Sequence, residues 1–235
     1  MSKISVLIPA YCEGGNLPKL VESLVRILQG EQSEFEIIII NDTNIDGSVE
    51  IIKDLESKYG NVKGLFSDER RGKTKAIKDG FEKSEGDVII LMDADLQYMP
   101  EDIPRLLKVL KNADVVNGLR IDRKDSLKRK IESKIYNLLI RLFFNVRFQD
   151  CNSGLKVFKR EVLEDVVPLL KPRWHRFLLV LAEKRGYKVV EKPVRHRKRV
   201  VGRSKFNSPL KLFEGLFDLL SVRLFISTMG RKVLS

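Results

Sequence analysis

Short apolar runs alternate with amphipathic segments over the first 118 residues, and this alternation restricts the chain to few folds. The apolar runs have the length of strands, and the amphipathic segments have the length and periodicity of helices. Strands that alternate with helices form a mostly parallel sheet covered by helices. We therefore predict an α/β fold with strands at Ile4–Ile8, Phe35–Ile40, Val62–Phe66, Val88–Met92 and Asp114–Asn117, and helices at Leu17–Leu28, Ser48–Tyr59, Lys73–Lys83 and Glu101–Leu110.

The fourth of these strands is followed by Asp93, Asp95 and Gln97. Because side chains alternate along an extended chain, we expect all three on one side. Carboxylate and amide oxygens are ligands of hard cations such as Mg²⁺ or Mn²⁺. Open α/β sheets bind their ligands at the carboxyl ends of strands. The two interpretations are a metal site formed by this trio and a solvated acidic turn.

Charge is divided unevenly along the 235 residues, whose net charge is +12. Residues 1–117 contain 15 Lys and Arg against 21 Asp and Glu, whereas residues 118–235 contain 29 against 11. A basic second half indicates an anionic partner: phosphates, an anionic membrane surface or nucleic acid. Because no helix-turn-helix, zinc or RNA-binding signature is present in the sequence, we do not expect nucleic acid to be the partner.

Cysteine usage and hydropathy favour a cytosolic protein, either free or at a membrane face. Cys12 and Cys151 have neither metal-ligand spacing nor the pattern of a disulfide framework. The first residues lead directly into a strand without a signal peptide, and no run of 18 apolar residues occurs.

Two segments of the second half combine apolar residues at helical spacing with basic ones. We expect both to be amphipathic helices. Residues 126–145 could form either the edge of a protein core or a membrane-surface helix. Residues 209–229 should lie on a membrane rather than cross it, with packing on the same domain or on a second copy as the alternative. The apolar stripe of residues 126–145 is Leu127, Ile131, Ile135, Leu138, Leu142 and Phe143, and that of residues 209–229 is Leu210, Phe213, Phe217, Leu220 and Leu224.

The loops after the first strands contain residues that could bind a nucleotide. Tyr11 offers an aromatic face to a nucleobase, and Asp42 could accept hydrogen bonds from a base or a ribose. Asp46 and Gly47 are more typical of a turn and helix N-cap. The cations of residues 70–73 precede a helix, where they either contact a diphosphate or lie in a solvated loop.

Short motifs follow one another through nearly the whole chain: Pro9-x-Tyr11-x-Glu13, Asn41-Asp42 with Asp46-Gly47, Gly72-Lys73-x-x-Ala76, Asp93-x-Asp95-x-Gln97 with Pro100, Gly118-x-Arg120, Asp150-Cys-Asn-Ser153-Gly154, His175-Arg176-Phe177, and Arg199-x-x-Gly202-Arg-Ser204-Lys205. Each motif is weak alone, but their order and spacing are specific. Together they resemble the inverting glycosyltransferases of family two. The second half is most similar to polyprenyl-phosphate hexosyltransferases, such as dolichol-phosphate mannose synthase and the undecaprenyl-phosphate glucosyltransferases.

The resemblance implies a GT-A fold and a role for each matching residue. Donor binding is implied for Pro9, Tyr11, Glu13, Asp42, Gly72, Lys73, Asp93, Ala94, Asp95, Arg120, Arg199 and Lys205. Acceptor binding is implied for Arg129, Ser133, Ser153, His175 and Arg176. Binding of Mg²⁺ or Mn²⁺ is implied for Asp93, Asp95 and Gln97, and catalysis for Asp93, Asp95 and Asp150. The chain departs from many relatives in having Asn41-Asp42 in place of two acids, so the identity of the base does not carry over.

The implied reaction moves a hexose, with inversion, from a nucleotide sugar of the GDP-mannose or UDP-glucose type to a polyprenyl or dolichyl phosphate. An acceptor phosphate is already ionised, so it needs cations and positioning rather than a strong base. The alternative is a sugar hydroxyl acceptor in glycan synthesis, which requires a general base. Asp150 is then the candidate base, although it would otherwise be a turn acid.

The resemblance and the charge distribution divide the chain into three parts. Residues 1–118 would be the nucleotide-sugar-binding half, residues 119–207 the acceptor-binding half of the same catalytic domain, and residues 208–235 an amphipathic membrane-surface segment. We therefore expect a peripheral protein on the cytoplasmic face of a membrane. Among the remaining aromatic and basic residues, Trp174 is expected at the edge of the core or membrane, and His196 in a solvated basic segment.

Overall fold

A seven-stranded sheet with helices on both faces forms the body of the computed structural model, which describes residues 2–31, 33–42, 45–121, 123, 126–198 and 210–232. The strand order is β3-β2-β1-β4-β6-β5-β7, and β6 is antiparallel to both of its neighbours. The strands are β1 Ile4–Ala10, β2 Phe35–Asn41, β3 Val62–Phe66, β4 Val88–Met92, β5 Val115–Ile121, β6 Leu155–Lys159 and β7 Val189–Arg195. The mostly parallel α/β sheet predicted from the sequence is confirmed.

The helices are α1 Leu17–Gln29, α2 Ser48–Lys58, α3 Lys73–Lys83, α4 Ile103–Leu110, α5 Leu127–Phe144, α6 Arg160–Val166, α7 Leu178–Lys184 and α8 Leu210–Lys232. Every strand and helix predicted in the first half is present, with ends shifted by a few residues. The turn Pro100–Asp102 before α4 is a 3₁₀-helix rather than the first turn of an α-helix. The sequence did not predict β6, α6 or β7.

The central strands are buried on both faces of the sheet, which explains their continuous apolar runs. Leu7 of β1 packs into one core cluster with residues of α3, α5 and α7. Its neighbours Val6 and Ile8 point to the opposite face and pack with residues of α1 and α4. Because side chains alternate across a strand, the apolar residues of β1 contribute to both clusters at once.

Helices α5 and α8 pack against each other and against the first core cluster, but the residues that do so differ from those expected. Ile140 and Phe144 of α5 and Leu219 and Val222 of α8 are buried. Most of the apolar residues that the sequence grouped into stripes remain exposed: Leu127, Ile131, Ile135, Leu138 and Leu142 on α5, and Phe217, Leu220 and Leu224 on α8. Each helix therefore packs on the domain with one set of apolar residues and exposes another. The alternative of packing on the domain is thus observed, whereas the place of the helices on a membrane surface stays a prediction.

Trp174 and Arg173 join α8 to the body of the domain. The Trp174 ring is buried and meets Phe225 of α8 edge to face, with ring centroids 5.3 Å apart. The Arg173 guanidinium donates two hydrogen bonds of 3.0 Å to the buried carboxylate of Asp218. Trp174 is therefore a core anchor, as expected. None of the helices that the structure describes combines the length and the hydropathy of a transmembrane span.

Truncation to alanine should destabilise the protein on the buried face of α5 but not on its exposed face. Phe144→Ala should lower the free energy of unfolding by about 3–5 kcal/mol, because it leaves a cavity in the core. Leu142→Ala, on the same helix but 70% exposed, should change it by less than about 0.5 kcal/mol. Urea unfolding followed by circular dichroism measures both, and equal losses for the two variants would contradict this packing.

Candidate active site

A cleft of about 730 Å³ opens at the carboxyl ends of β1, β2 and β4. These strands are parallel, so the loops that follow them meet at one edge of the sheet. Because β6 runs antiparallel to β4 with Leu155 opposite Met92, the loop that precedes β6 reaches the same edge. The predicted site residues that line the cleft are Pro9, Tyr11, Glu13, Asp42, Gly72, Lys73, Asp93, Ala94, Asp95, Gln97, Arg120, Arg129, Ser133, Ser153, His175 and Arg176.

The acidic trio is presented by a turn rather than by an extended strand, and this corrects the expectation that simple alternation places it. Strand β4 ends at Met92, and Leu96 has a left-handed backbone with φ of 58°. The Asp95 carboxylate accepts a 3.1 Å hydrogen bond from the Gln97 backbone N–H, an Asx turn. All three side chains still line the cleft, with Asp95 and Gln97 buried and Asp93 partly exposed.

Asp93 is held between a glycine and a lysine. Its backbone N–H donates 3.1 Å to the Gly154 carbonyl, and a methyl group added at Gly154 would lie only 2.0 Å from Asp93 Oδ2. The other oxygen, Oδ1, forms an ion pair with Lys73. Burial alone would raise the pKa of Asp93, but the positive charges of Lys73, Lys156 and Arg120 outweigh it and lower that pKa below its ordinary value. The carboxylate is therefore ionised near neutral pH.

The trio fits a hard divalent cation. The Gln97 amide nitrogen donates 3.1 Å to the Arg197 carbonyl, so Oε1 is the amide atom that remains to act as a ligand. Within the described ranges, no group of three or more His, Cys, Asp or Glu side chains is placed to hold a metal. Two carboxylates and one amide oxygen match the usual Mg²⁺ arrangement, in which one or two protein carboxylates act together with substrate phosphates.

Asp42 and Tyr11, which are predicted to bind the nucleotide, already contact other residues of the chain. Both oxygens of the Asp42 carboxylate accept 2.7 Å hydrogen bonds, one from the Arg71 and one from the Gly72 backbone N–H. The Arg70 guanidinium lies over the Tyr11 ring, 4.3 Å from its centroid. Asp42 therefore fixes the loop before α3, and the aromatic face proposed for a nucleobase is covered by a cation.

Arg120, which lines the cleft, forms a buried bidentate ion pair with Asp150. Arg120 Nε donates 2.6 Å to one Asp150 oxygen, and Nη2 donates 2.7 Å to the other. The Asp150 and Gln149 backbone N–H groups in turn donate to the Glu191 carboxylate of β7. Asp150 does not line the cleft. The geometry therefore differs from that expected of a general base, since both carboxylate oxygens orient Arg120.

The residues predicted to bind the acceptor all line the cleft: Arg129, Ser133, Ser153, His175 and Arg176. The His175 ring nitrogen Nδ1 is 2.9 Å from the Thr74 hydroxyl. Burial, aided by the charges of Lys73 and Arg176, holds the pKa of His175 well below its ordinary value, so its imidazole is neutral at pH 7. Ser133 of α5 accepts a 2.7 Å hydrogen bond from Arg123. Arg199 and Lys205 lie outside the described residues.

Several cleft residues were not predicted from the sequence, among them Lys156, Tyr98 and His196. Lys156 is buried, and burial together with the nearby Lys73 lowers its pKa to about 8. Lys156, which lies between the apolar residues Leu155 and Val157 of β6, was the available signal, but β6 itself was not predicted. Tyr98 and His196 meet edge to face at 5.4 Å, and both are buried. The expectation that His196 is solvated is wrong, because the antiparallel bridge between the two residues draws it into the cleft.

The sequence profile of glycosyl transferase family 2 matches residues 5–167, which include the acidic trio, Arg120 and the loop before β6. The chain belongs to this family. It is 35% identical over 223 residues to an undecaprenyl-phosphate 4-deoxy-4-formamido-L-arabinose transferase of Photorhabdus laumondii, an alignment that covers 94% of this chain and 68% of the relative. A protein of the same description from Pectobacterium atrosepticum is 33% identical, with 100% of this chain and 71% of the relative aligned.

Solved structures with the same fold include a glucosyl-3-phosphoglycerate synthase from Mycobacterium tuberculosis in complex with Mn²⁺, uridine diphosphate and phosphoglyceric acid. It has a TM-score of 0.69 and 18% identity, over 94% of this chain and 78% of that one. A mannosyltransferase from Pyrobaculum calidifontis in complex with GDP-Man and Mn²⁺ has a TM-score of 0.64 and 18% identity, over 86% and 58% of the two chains. The GT-A fold and the glycosyltransferase class inferred from the sequence are thereby confirmed.

Gly154 should tolerate no side chain, because Asp93 occupies the space that a methyl group would need. We expect Gly154→Ala to displace the Asp93 carboxylate and to reduce sugar transfer about 100-fold, the scale of a 1 Å misplacement in an active site. Gly60→Ala is the control, since nothing lies within 4 Å of the methyl position there. Full transfer activity in a folded Gly154→Ala protein would contradict the tight contact.

Proposed function

We propose that this glycosyltransferase transfers a sugar from a nucleoside diphosphate sugar to a polyprenyl phosphate, with inversion and with help from a divalent cation. The observation that favours a phosphate acceptor is the Arg120–Asp150 pair. Asp150, the candidate base for a hydroxyl acceptor, is committed to Arg120, whereas an ionised phosphate needs no such base. The two relatives described above are named for undecaprenyl-phosphate, which supports the same acceptor class.

The charges in the cleft suit two phosphate-bearing substrates. The acidic turn would hold the donor diphosphate through a divalent ion, which supplies Lewis-acid stabilisation of the leaving group when bound. Lys73 and the first backbone N–H groups of α3 would add positive charge beside that diphosphate. The acceptor phosphate would be oriented by the cations lining the rest of the cleft: Arg120, Arg123, Arg129, Lys156 and Arg176. These five residues all belong to the basic second half, and phosphate binding gives them a role that needs no nucleic acid partner.

The exposed apolar rows of α5 and α8 support a place at the membrane surface for this reaction. Leu127 and Leu142 on α5 and Phe217 and Leu224 on α8 are each at least 67% exposed. Basic residues occur along α5, and Arg223 is exposed on α8. A basic amphipathic helix binds the interface of an anionic leaflet with its apolar face inserted. A polyprenyl chain would then remain in the bilayer while its phosphate enters the cleft.

The reaction is tested by the product. Purified protein is incubated with vesicles containing undecaprenyl phosphate, Mn²⁺ or Mg²⁺, and labelled donors that include UDP-glucose, GDP-mannose and a nucleotide-activated 4-deoxy-4-formamido-L-arabinose. We expect label from one donor in the lipid phase, and none when undecaprenol replaces undecaprenyl phosphate.

Asp95→Asn should lower transfer by at least about 100-fold, because it weakens the electrostatic stabilisation of the leaving group.

Asp54→Asn, on the exposed face of α2, is the matched control and should leave transfer unchanged. Equal transfer to undecaprenol and to its phosphate would rule out a phosphate acceptor. Undiminished transfer by Asp95→Asn would remove the acidic turn from the mechanism.

Membrane binding is tested separately. The double variant Leu142→Glu with Leu224→Glu should bind vesicles of mixed neutral and anionic lipid more than tenfold less tightly, because burial of each leucine contributes about 1.5–3 kcal/mol. Gln29→Glu with Ser57→Glu changes the charge equally at exposed positions of α1 and α2, and should have little effect. Vesicle sedimentation measures both, and equal binding by the two variants would contradict insertion through α5 and α8.

A further inference from the structure

The loop before α3 places two of its own cations on the groups that would receive the donor. Arg70 covers the Tyr11 ring, where a base would stack, and Lys73 neutralises Asp93, where a divalent ion would bind. Asp42 anchors the backbone between them through the Arg71 and Gly72 N–H groups. Arg70 therefore lies where a stacked base would lie, and Lys73 lies where a divalent ion would bind.

Lys73 and a metal ion compete for the same atom. One oxygen of Asp93, Oδ2, is packed against the Gly154 backbone, and Lys73 occupies the other. A divalent ion coordinated by that second oxygen would lie within a few ångströms of the Lys73 ammonium, where the repulsion of like charges is strong. The Lys73 ammonium must therefore move before the metal can bind Asp93.

A bound donor diphosphate would offer the Lys73 ammonium a second partner close to Asp93. The Lys73 Cα is fixed at the first position of α3, behind Gly72 with a φ of 81°, while its side chain is 38% exposed and flexible. Rotation of the side chain alone can carry the ammonium from Asp93 to a diphosphate at the start of the helix. The metal would then take the place that the lysine left.

We infer that Lys73 is an internal counter-ion that couples metal binding to donor binding. In the donor-free protein it opposes the metal, and with a nucleoside diphosphate bound it no longer does. Because such coupling is reciprocal, the metal must strengthen nucleotide binding by the same factor. This inference rests on the proposed donor and metal site. It adds that the metal and the nucleotide strengthen each other's binding through Lys73.

The test measures Mn²⁺ affinity by electron paramagnetic resonance of free Mn²⁺, with and without saturating UDP or GDP, and needs no turnover. In the unaltered protein, the nucleotide should increase Mn²⁺ affinity. Lys73→Met should bind Mn²⁺ alone about tenfold more tightly, the scale of one charged hydrogen bond. The increase that the nucleotide gives should shrink by the same factor.

Two controls separate charge from structure. Lys73→Arg keeps the competing cation and should keep the weak donor-free affinity. Lys75→Met removes a lysine from the same helix that pairs with Asp79 instead, and should behave like the unaltered protein. Thermal unfolding confirms that each variant is folded.

The outcomes distinguish this inference from the function on which it rests. If the nucleotide increases Mn²⁺ affinity but Lys73→Met leaves the donor-free affinity unchanged, the counter-ion role is overturned and the donor site stands. If neither protein binds Mn²⁺ more tightly with UDP or GDP, both the coupling and the proposed metal–donor site are overturned.

Discussion

The pairing of β4 with an antiparallel β6 is the constraint on which the site depends. It brings Gly154 beside Asp93, at a distance that only a residue without a side chain permits. The same pairing sets the loop that precedes β6 against Tyr98, whose hydroxyl accepts a 2.5 Å hydrogen bond from the Gly154 N–H. One strand pairing therefore joins the acidic turn of the first half to the basic wall of the second.

Two of the cations that line the cleft, Arg120 and Lys73, form ion pairs with carboxylates. Asp150 balances Arg120, and Asp93 balances Lys73, so that neither cation is desolvated alone. Lys156 receives less compensation, and its pKa is lowered to about 8 because burial and Lys73 together disfavour its charged form. Isolated charges are costly to bury, whereas paired ones keep their geometry and remain available to an incoming phosphate.

Much of the fold was predictable because its strands and helices have clear periodicities. The Ile-rich runs of β1, β2 and β4 specify buried strands without reference to distant residues. Strands β6 and β7 were missed because polar residues interrupt their apolar runs, and the partners of those residues are distant in sequence. Lys156 of β6 faces the cleft, and Glu191 of β7 accepts hydrogen bonds from the Gln149 and Asp150 backbone. Most of the predicted site residues that the structure describes line the cleft, but their partners did not follow from the motifs. The Asp150–Arg120 and Lys73–Asp93 pairs join residues 20 or more positions apart, and no local pattern specifies them.

Helix α8 belongs to the folded body of the domain as well as exposing an apolar row. Leu219 and Val222 complete the core, and Asp218 is buried against Arg173. Arg173 immediately precedes Trp174 and His175, so the helix is fastened two residues from a side chain of the cleft. Cutting the chain before α8 would therefore do more than remove a surface segment. It would expose Trp174 to water and loosen the wall that holds His175, so truncation at this point would test the stability of the enzyme before it tested its attachment to lipid.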